Sequence, residues 1–204
     1  MLPEAAWWKV EENMLELVTG GSGSGKSEYA ESLAVNAYRQ NPEGMLYYIA
    51  TMQPSDEECL KRIEKHRRMR ARKGFTTIEC YTHLEEVEIS CKDVVLLECM
   101  SNLLANEMFG QKGRIRSESK DREEMMLQKA IFVPVFHLAE QASHMVVVTN
   151  EVFSDGMEYE EETGRYVRLL GKVNCEIGRK ADTVTEVVCG IPVIRKGEAL
   201  CCTR

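Results

Sequence analysis

The sequence predicts an α/β protein: a mostly parallel sheet with helices on both faces and a C-terminal edge pair of strands. Three observations predict it. Apolar strand-like runs alternate with helical patterns along the chain. The first run leads into Gly20-Gly21-Ser22-Gly23-Ser24-Gly25-Lys26-Ser27, which fits G-x-x-x-x-G-K-[ST], and a helical pattern follows it. The last two runs are separated by Gly190-Ile191 and can turn back on each other as an antiparallel pair.

The elements follow in order. Met14 to Thr19 is a short strand entering the glycine-rich loop. Lys26 to Tyr38 is a helix with Tyr29, Ala30, Leu33, Ala34 and Ala37 on one face. Met45 to Ala50 is a buried strand, Asp56 to Arg72 has helical periodicity, and Thr76 to Cys80 is a shorter strand. Asp93 to Glu98 is a strong strand, with a helix expected from Asn102 to Phe109. Gln111 to Glu124 is polar and charged, and is expected to be a mobile excursion. Met125 to Gln141 is helical, with an interruption at Pro134, which has no N–H to donate. His144 to Asn150 is a strand and Glu158 to Arg179 mostly a helix. Thr185 to Cys189 and Pro192 to Arg195 close the chain. The expected organisation is an N-terminal extension, residues 1–13, and a single nucleotide-binding domain, residues 14–204.

Composition narrows the class. A chain of 204 residues with net charge −7 can bury a sizeable core in one domain. No apolar run approaches the ~20 residues that span a bilayer. The first thirteen residues carry Trp7 and Trp8 but no basic region followed by an apolar stretch, so no signal peptide is expected. The eight cysteines form no C-x-x-C and have no zinc-like spacing to histidines. Reduced thiols in a cytoplasmic protein are the expectation.

The loop has a mechanism. Its glycines let successive N–H groups face phosphate oxygens, with a helix N-terminus beneath. Lys26 is placed to reach the β- and γ-phosphates, and the Ser27 hydroxyl to ligate Mg²⁺. In parallel sheets ligands bind beyond the carboxyl ends of the strands. Those ends carry Ala50-Thr51-Met52, Glu79-Cys80, Glu98-Cys99 and Thr149-Asn150-Glu151. Glu98, at the tip of an apolar strand, suits the second metal contact, against the alternative of a solvated carboxylate. Glu151 is a weaker candidate for the same work.

The segment Lys61 to Lys73 is basic at eight of thirteen positions, in an otherwise acidic chain. Such a patch favours a local anionic ligand over broad nucleic-acid binding, or is a solvated helix face. His66 lies within it. At helical spacing Ile63, His66 and Met69 share a stripe, so one reading is a packed histidine. The other is a nucleophile: an imidazole among cations is held neutral, and its nitrogen can attack phosphorus.

These positions together resemble the bifunctional adenosylcobinamide kinase / adenosylcobinamide-phosphate guanylyltransferase family. The similarity runs from about Leu15 to about Lys196. It includes Val18-Thr19-Gly20-Gly21 with Ser24-Gly25-Lys26-Ser27, Tyr48-Ile49-Ala50-Thr51, Arg62-Ile63-x-x-His66, Leu96-Leu97-Glu98-Cys99 and Asn106. It continues through Val148-Thr149-Asn150-Glu151-Val152, Gly171-x-x-Asn174, Ala181-Asp182 and Val188-x-Gly190-Ile191. The resemblance implies a RecA-like sheet, ATP and GTP as substrates with Mg²⁺, and a homo-oligomer, with a trimer described in the family. It implies phosphorylation of adenosylcobinamide, then guanylylation of His66 by GTP, and transfer of GMP to adenosylcobinamide phosphate. It places nucleotide contacts on Gly20 to Ser27, on Ala50, Thr51 and Met52, on Arg67, Arg68, Met69 and Arg70, and on Glu79 and Glu98. Where the family often has two histidines and a glycine-containing turn, this chain has Lys65-His66-Arg67-Arg68-Met69-Arg70, so the helix is expected to run on. Phe153 stands where glycine usually follows N-E-V. A kinase that has lost the guanylyl step, and a nucleotide-dependent binding module with no membrane span, are the alternatives.

Overall fold

A computed structural model describes residues 13–54, 57–116, 119–153, 156 and 159–198. The expected extension with Trp7 and Trp8, up to residue 12, lies outside the described residues, as do the side chains of Arg62 and Lys65. Seven strands form one sheet: β1 (Met14–Thr19), β2 (Leu46–Ala50), β3 (Thr76–Glu79), β4 (Val94–Glu98), β5 (His144–Val148), β6 (Thr183–Val188) and β7 (Ile191–Lys196). Their order is β3-β2-β4-β5-β1-β6-β7. Every neighbouring pair is parallel except β6 and β7, the antiparallel edge pair the sequence predicts.

Helices cover both faces, which is why the central strands are continuous apolar runs. Alternate residues feed two cores. Val95 and Leu97 of β4 join Leu15, Leu17, Leu103, Leu138 and Val147 on one face, while Leu96 joins Val18, Ala30, Ala34, Tyr48 and Val146 on the other. The second face is covered by α1 (Lys26–Gln40), whose fully buried Ala30 and Ala34 let it lie close to the strands. Glu16, a carboxylate inside β1, is satisfied by His144 Nε2 at 2.6 Å and the Thr183 hydroxyl at 2.8 Å.

The helix α2 spans Glu57–Ala71 and runs unbroken through His66 to Arg70, as the missing glycine predicts. The described parts of the segment expected to be a mobile excursion are instead built into the domain. After α3 (Met100–Phe109), Ile115 is fully buried, Arg114 is ion-paired to Glu107 and Glu85, and α4 begins at Lys120. Polar composition concealed this, because Arg114 and Glu123 pair with charges on other elements, Arg114 with Glu107 and Glu85 and Glu123 with Arg165 and Arg168. The interruption expected at Pro134 arrives early. Between α4 (Lys120–Leu127) and α5 (Val133–Gln141) lies one π-helical stretch, Gln128–Phe132, where the Val133 N–H bonds to Gln128 O. The widened turn lets the helix continue past a residue that cannot donate. The last helix, α6, is Glu161–Lys180.

Candidate active site

The carboxyl ends of β1 to β5 meet at one cleft of about 660 Å³. Its floor is the loop after β1. A Cβ on Gly20 would lie 2.6 Å from both Ser24 Oγ and Val187 O, so only glycine fits there. Gly25, at φ 90°, turns the chain into α1, a conformation that a side chain resists. The loop is braced from behind by Gly190 N–H, which donates to Ser24 O at 2.8 Å. Lys26 is buried, and its Nζ curls back to Gly21 O at 3.0 Å.

Glu98 ends β4 opposite this loop. Its carboxylate accepts from Ser27 Oγ on one oxygen and from Tyr48 Oη, at 2.9 Å, on the other. Burial, then the neighbouring Glu98 charge, pushes the Tyr48 phenol far above its ordinary value, so it remains a donor. A hydroxyl and a carboxylate facing each other supply hard oxygen donors of the kind Mg²⁺ takes, with phosphates and water completing the shell. Among the described residues no group of three or more His, Cys, Asp or Glu could hold a metal ion unaided.

His66 lines the same cleft from α2, with Ile63 and Arg70. It is exposed, not packed. The expected stripe of Ile63, His66 and Met69 fails because six residues of helix turn the direction by about 120°, whereas seven nearly restore it. Arg70, seven residues after Ile63, therefore faces inward at 6% exposure, and Met69 faces outward at 49%. The Arg70 guanidinium stacks 3.6 Å from the centre of the Tyr48 ring, and its Nε donates to His66 O at 3.2 Å. Arg67 pairs with Glu79 at 2.7 Å, and Lys73 with Glu31 at 2.5 Å. Tyr81 also donates to Glu79, and its phenol is pushed up to about 12 by burial and that bond. Several cations of the basic patch thus fasten α2 across the strand ends.

Of the nucleotide contacts expected from the resemblance, Ser22, Gly23, Lys26, Ser27, Ala50, Met52, Arg70, Glu79 and Glu98 line the cleft with His66. Arg67, held by Glu79, does not, and neither do Arg68 and Met69. The last two lie on a separate shallow surface, where Arg68 pairs with Glu64 at 3.0 Å. Thr51 is fully buried behind the cleft, its hydroxyl donating to Cys99 O at 2.8 Å and accepting from Cys99 N–H at 2.6 Å. Those bonds stitch the ends of β2 and β4, and the Thr51 N–H is likewise taken up, donating to Glu98 O at 3.0 Å. Asn150, not Glu151, lines the cleft; the Glu151 carboxylate accepts from Phe153 N–H at 2.9 Å. Phe153 packs over Gly171, where a Cβ would meet its ring at 3.4 Å. Sequence reasoning gave no role to Tyr48 and Tyr81. Tyr48 could have been found by alternation, since it lies two residues before Ala50 and so shares its face.

The family described as "Cobinamide kinase / cobinamide phosphate guanyltransferase" matches residues 16–194. The chain belongs to this family. The bifunctional adenosylcobalamin biosynthesis protein CobU of Escherichia coli is 35% identical over 188 residues, covering 88% of this chain and 98% of that protein. CobU of Salmonella typhimurium is 34% identical over 186 residues, with 88% and 98% covered. CobP of Pseudomonas aeruginosa is 29% identical over 190 residues, with 92% and 100% covered. Among solved structures, the flagellar accessory protein FlaH of Methanocaldococcus jannaschii aligns with a TM-score of 0.47 at 17% identity, over 91% of this chain and 79% of that one. No helix among the described residues is long and apolar enough to cross a membrane.

Other family-like residues act as fasteners. Asn106 donates to Thr51 O at 2.8 Å and Tyr81 O at 2.9 Å, joining the loops after β2 and β3. Asn174 accepts from the Thr149 hydroxyl at 2.6 Å and donates to Asn150 O at 3.2 Å, holding the end of β5. Asp182 accepts from Leu15 N–H at 2.8 Å at the start of β1.

Proposed function

We propose that this single cleft binds one nucleoside triphosphate and serves two transfers, to cobinamide and through His66. The observation that carries the reading is that the phosphate loop, the Ser27–Glu98 pair and His66 line one cavity. In the kinase step the acceptor hydroxyl oxygen bonds to the γ-phosphorus, the bond from that phosphorus to the β-phosphate oxygen breaks, and the hydroxyl proton is lost. Lys26 and the loop N–H groups hold the phosphates in line. In the second step a nitrogen of the His66 imidazole bonds to the α-phosphorus of GTP and pyrophosphate leaves. The terminal phosphate of cobinamide phosphate then attacks that phosphorus, the N–P bond breaks, and cobinamide-GDP is formed with His66 restored.

Ser27 and Glu98 are the residues to hold Mg²⁺, which when bound neutralises charge on the phosphates. Arg70 lies beside His66 and supplies a fixed positive charge for the departing pyrophosphate. The exposed Val188, Ile191 and Ile194 on the β6–β7 hairpin support a homo-oligomer, for which we infer the trimer described in the family. Free thiols at Cys80, Cys91, Cys99, Cys175 and Cys189 support a cytoplasmic location. We infer one domain from residue 14 onward.

The test is incubation with GTP labelled at the α-phosphate, without corrinoid. An acid-labile adduct mapping to His66 and absent from His66→Ala is expected, with kinase activity on cobinamide retained in that variant. No adduct, or one that survives His66→Ala, would sink the guanylyl step and leave a single-function kinase.

A further inference from the structure

A second cavity of about 650 Å³ opens beside the nucleotide cleft. Its volume suits a small-molecule site. Glu79 and Tyr81 line both cavities, so one wall separates them. That wall is tied to the helix of His66, because Arg67, the next residue along, is the partner of Glu79. Beyond the wall the cavity is bounded by the turn after β3, with His83, Glu86 and Glu88, and by the end of α3, with Gln111 and Lys112.

Both proposed transfers demand an acceptor site next to the nucleotide. The acceptor arm must reach the γ-phosphorus in one step and a GMP carried by His66 in the other. On this basis we propose that the second cavity is the acceptor subsite. There the amide-bearing edge of a corrinoid rests, with its aminopropanol arm passing over Glu79 and Tyr81 into the nucleotide cleft. The inference rests on the two-transfer reading above and deepens it.

The lining fits that chemistry. Cobinamide is rimmed by primary amides, which donate to carboxylates and accept from cations, and adenosylcobinamide carries a net positive charge. Glu86, Glu88 and Lys112 are exposed donors and acceptors on the cavity rim. The wall is also preformed. Glu107, fully buried behind it, accepts from His83 N–H at 3.0 Å and pairs with Arg114 at 2.6 Å. His83 is thereby held at φ 57°, presenting its ring in the turn.

The experiment measures KM for adenosylcobinamide and for ATP in the kinase step, and separately the corrinoid-free guanylylation by GTP. Two variants are used: Gln111→Trp, which puts a bulky ring at the cavity rim, and the double change Glu86→Gln/Glu88→Gln, which removes charge from exposed positions without threatening the fold. The expected result is a rise of roughly tenfold in KM for the corrinoid with Gln111→Trp and of about threefold with the double change, both with KM for ATP within twofold. Guanylylation by GTP should continue. An unchanged corrinoid KM in both variants overturns the subsite, and so does a matching rise in KM for ATP. If the unaltered protein forms no His66 adduct, the guanylyl reading fails on its own. The corrinoid KM of the kinase step still decides the cavity.

Discussion

Replacing Tyr48 by phenylalanine removes one oxygen and leaves the ring, whereas leucine removes both. The two changes therefore separate two jobs. The hydroxyl holds Glu98 at 2.9 Å, and a hydrogen bond to a charged group contributes about 1.5–3 kcal/mol, the low end applying at a site open to water. Loss of about 1.4 kcal/mol of positioning is roughly tenfold in rate. Tyr48→Phe is expected to lower kcat/KM for ATP in the kinase step about tenfold and to leave Arg70 on its ring. Tyr48→Leu also removes the stack under Arg70, a cation–π contact 3.6 Å from the ring centre. For a desolvated guanidinium that contact is worth about 2 kcal/mol. Because Arg70 also bonds to His66 O, its release should slow guanylylation of His66 a further tenfold or more beyond Tyr48→Phe. The assay is single-turnover labelling with GTP beside steady-state kinase rates, on protein whose fold is checked by thermal melting, since Tyr48 also packs edge-on against Phe75 at 5.9 Å. Equal guanylylation rates in Tyr48→Phe and Tyr48→Leu would refute the coupling of the ring to His66.

Glu98→Gln keeps the shape but removes the charge beside Ser27. Kinase turnover is expected to fall by about 10²–10³, with the fall only partly recovered at high Mg²⁺ in a titration of rate against metal. Burial would raise the carboxyl of Glu123, yet hydrogen bonds from Arg165 and Arg168 outweigh it and hold the group below the usual carboxylate range. A group lowered on folding contributes stability that is present above its unfolded pKa and is lost as pH falls through its folded value. Glu123→Gln should therefore cost about 1–2 kcal/mol near neutral pH, and the difference from the unaltered protein should shrink below about pH 4 in urea melts.

The legible parts of this chain are those in which local pattern and chemistry agree. The strands β2, β4 and β5 are short, largely apolar runs, and the loop from Gly20 to Ser27 has phosphate-loop spacing with a strand before it and a helix after it. The position of Glu98 in the cleft was legible because an acid ending such a run sits at the carboxyl edge of the sheet. The segment from Gln111 to Glu124 was misread because burial of Ile115 and pairing of Arg114 with Glu107 depend on an element seven residues earlier in the chain. Composition cannot distinguish a charge that meets water from one that meets a partner. Arg68 and Met69 were assigned to the nucleotide by position in a motif. A continuous helix displays its residues around a full circle, so the two residues just before Arg70 point elsewhere.

The basic helix is where these strands of reasoning join. Read as composition, Lys61 to Lys73 suggests a patch for a local anionic ligand, or a solvated helix face. In the fold, Arg67 is on Glu79, Arg70 on Tyr48 and Lys73 on Glu31, each partner belonging to a different element of the cleft. Exposed ion pairs contribute little stability singly, typically below about 1 kcal/mol, so this arrangement is a poor way to stabilise a fold. It is a good way to hold one helix at a set position over the strand ends while leaving it replaceable contacts. Of these three cations only Arg70 lines the cleft, so it is the one through which a bound phosphate would act on the seating of α2 and His66.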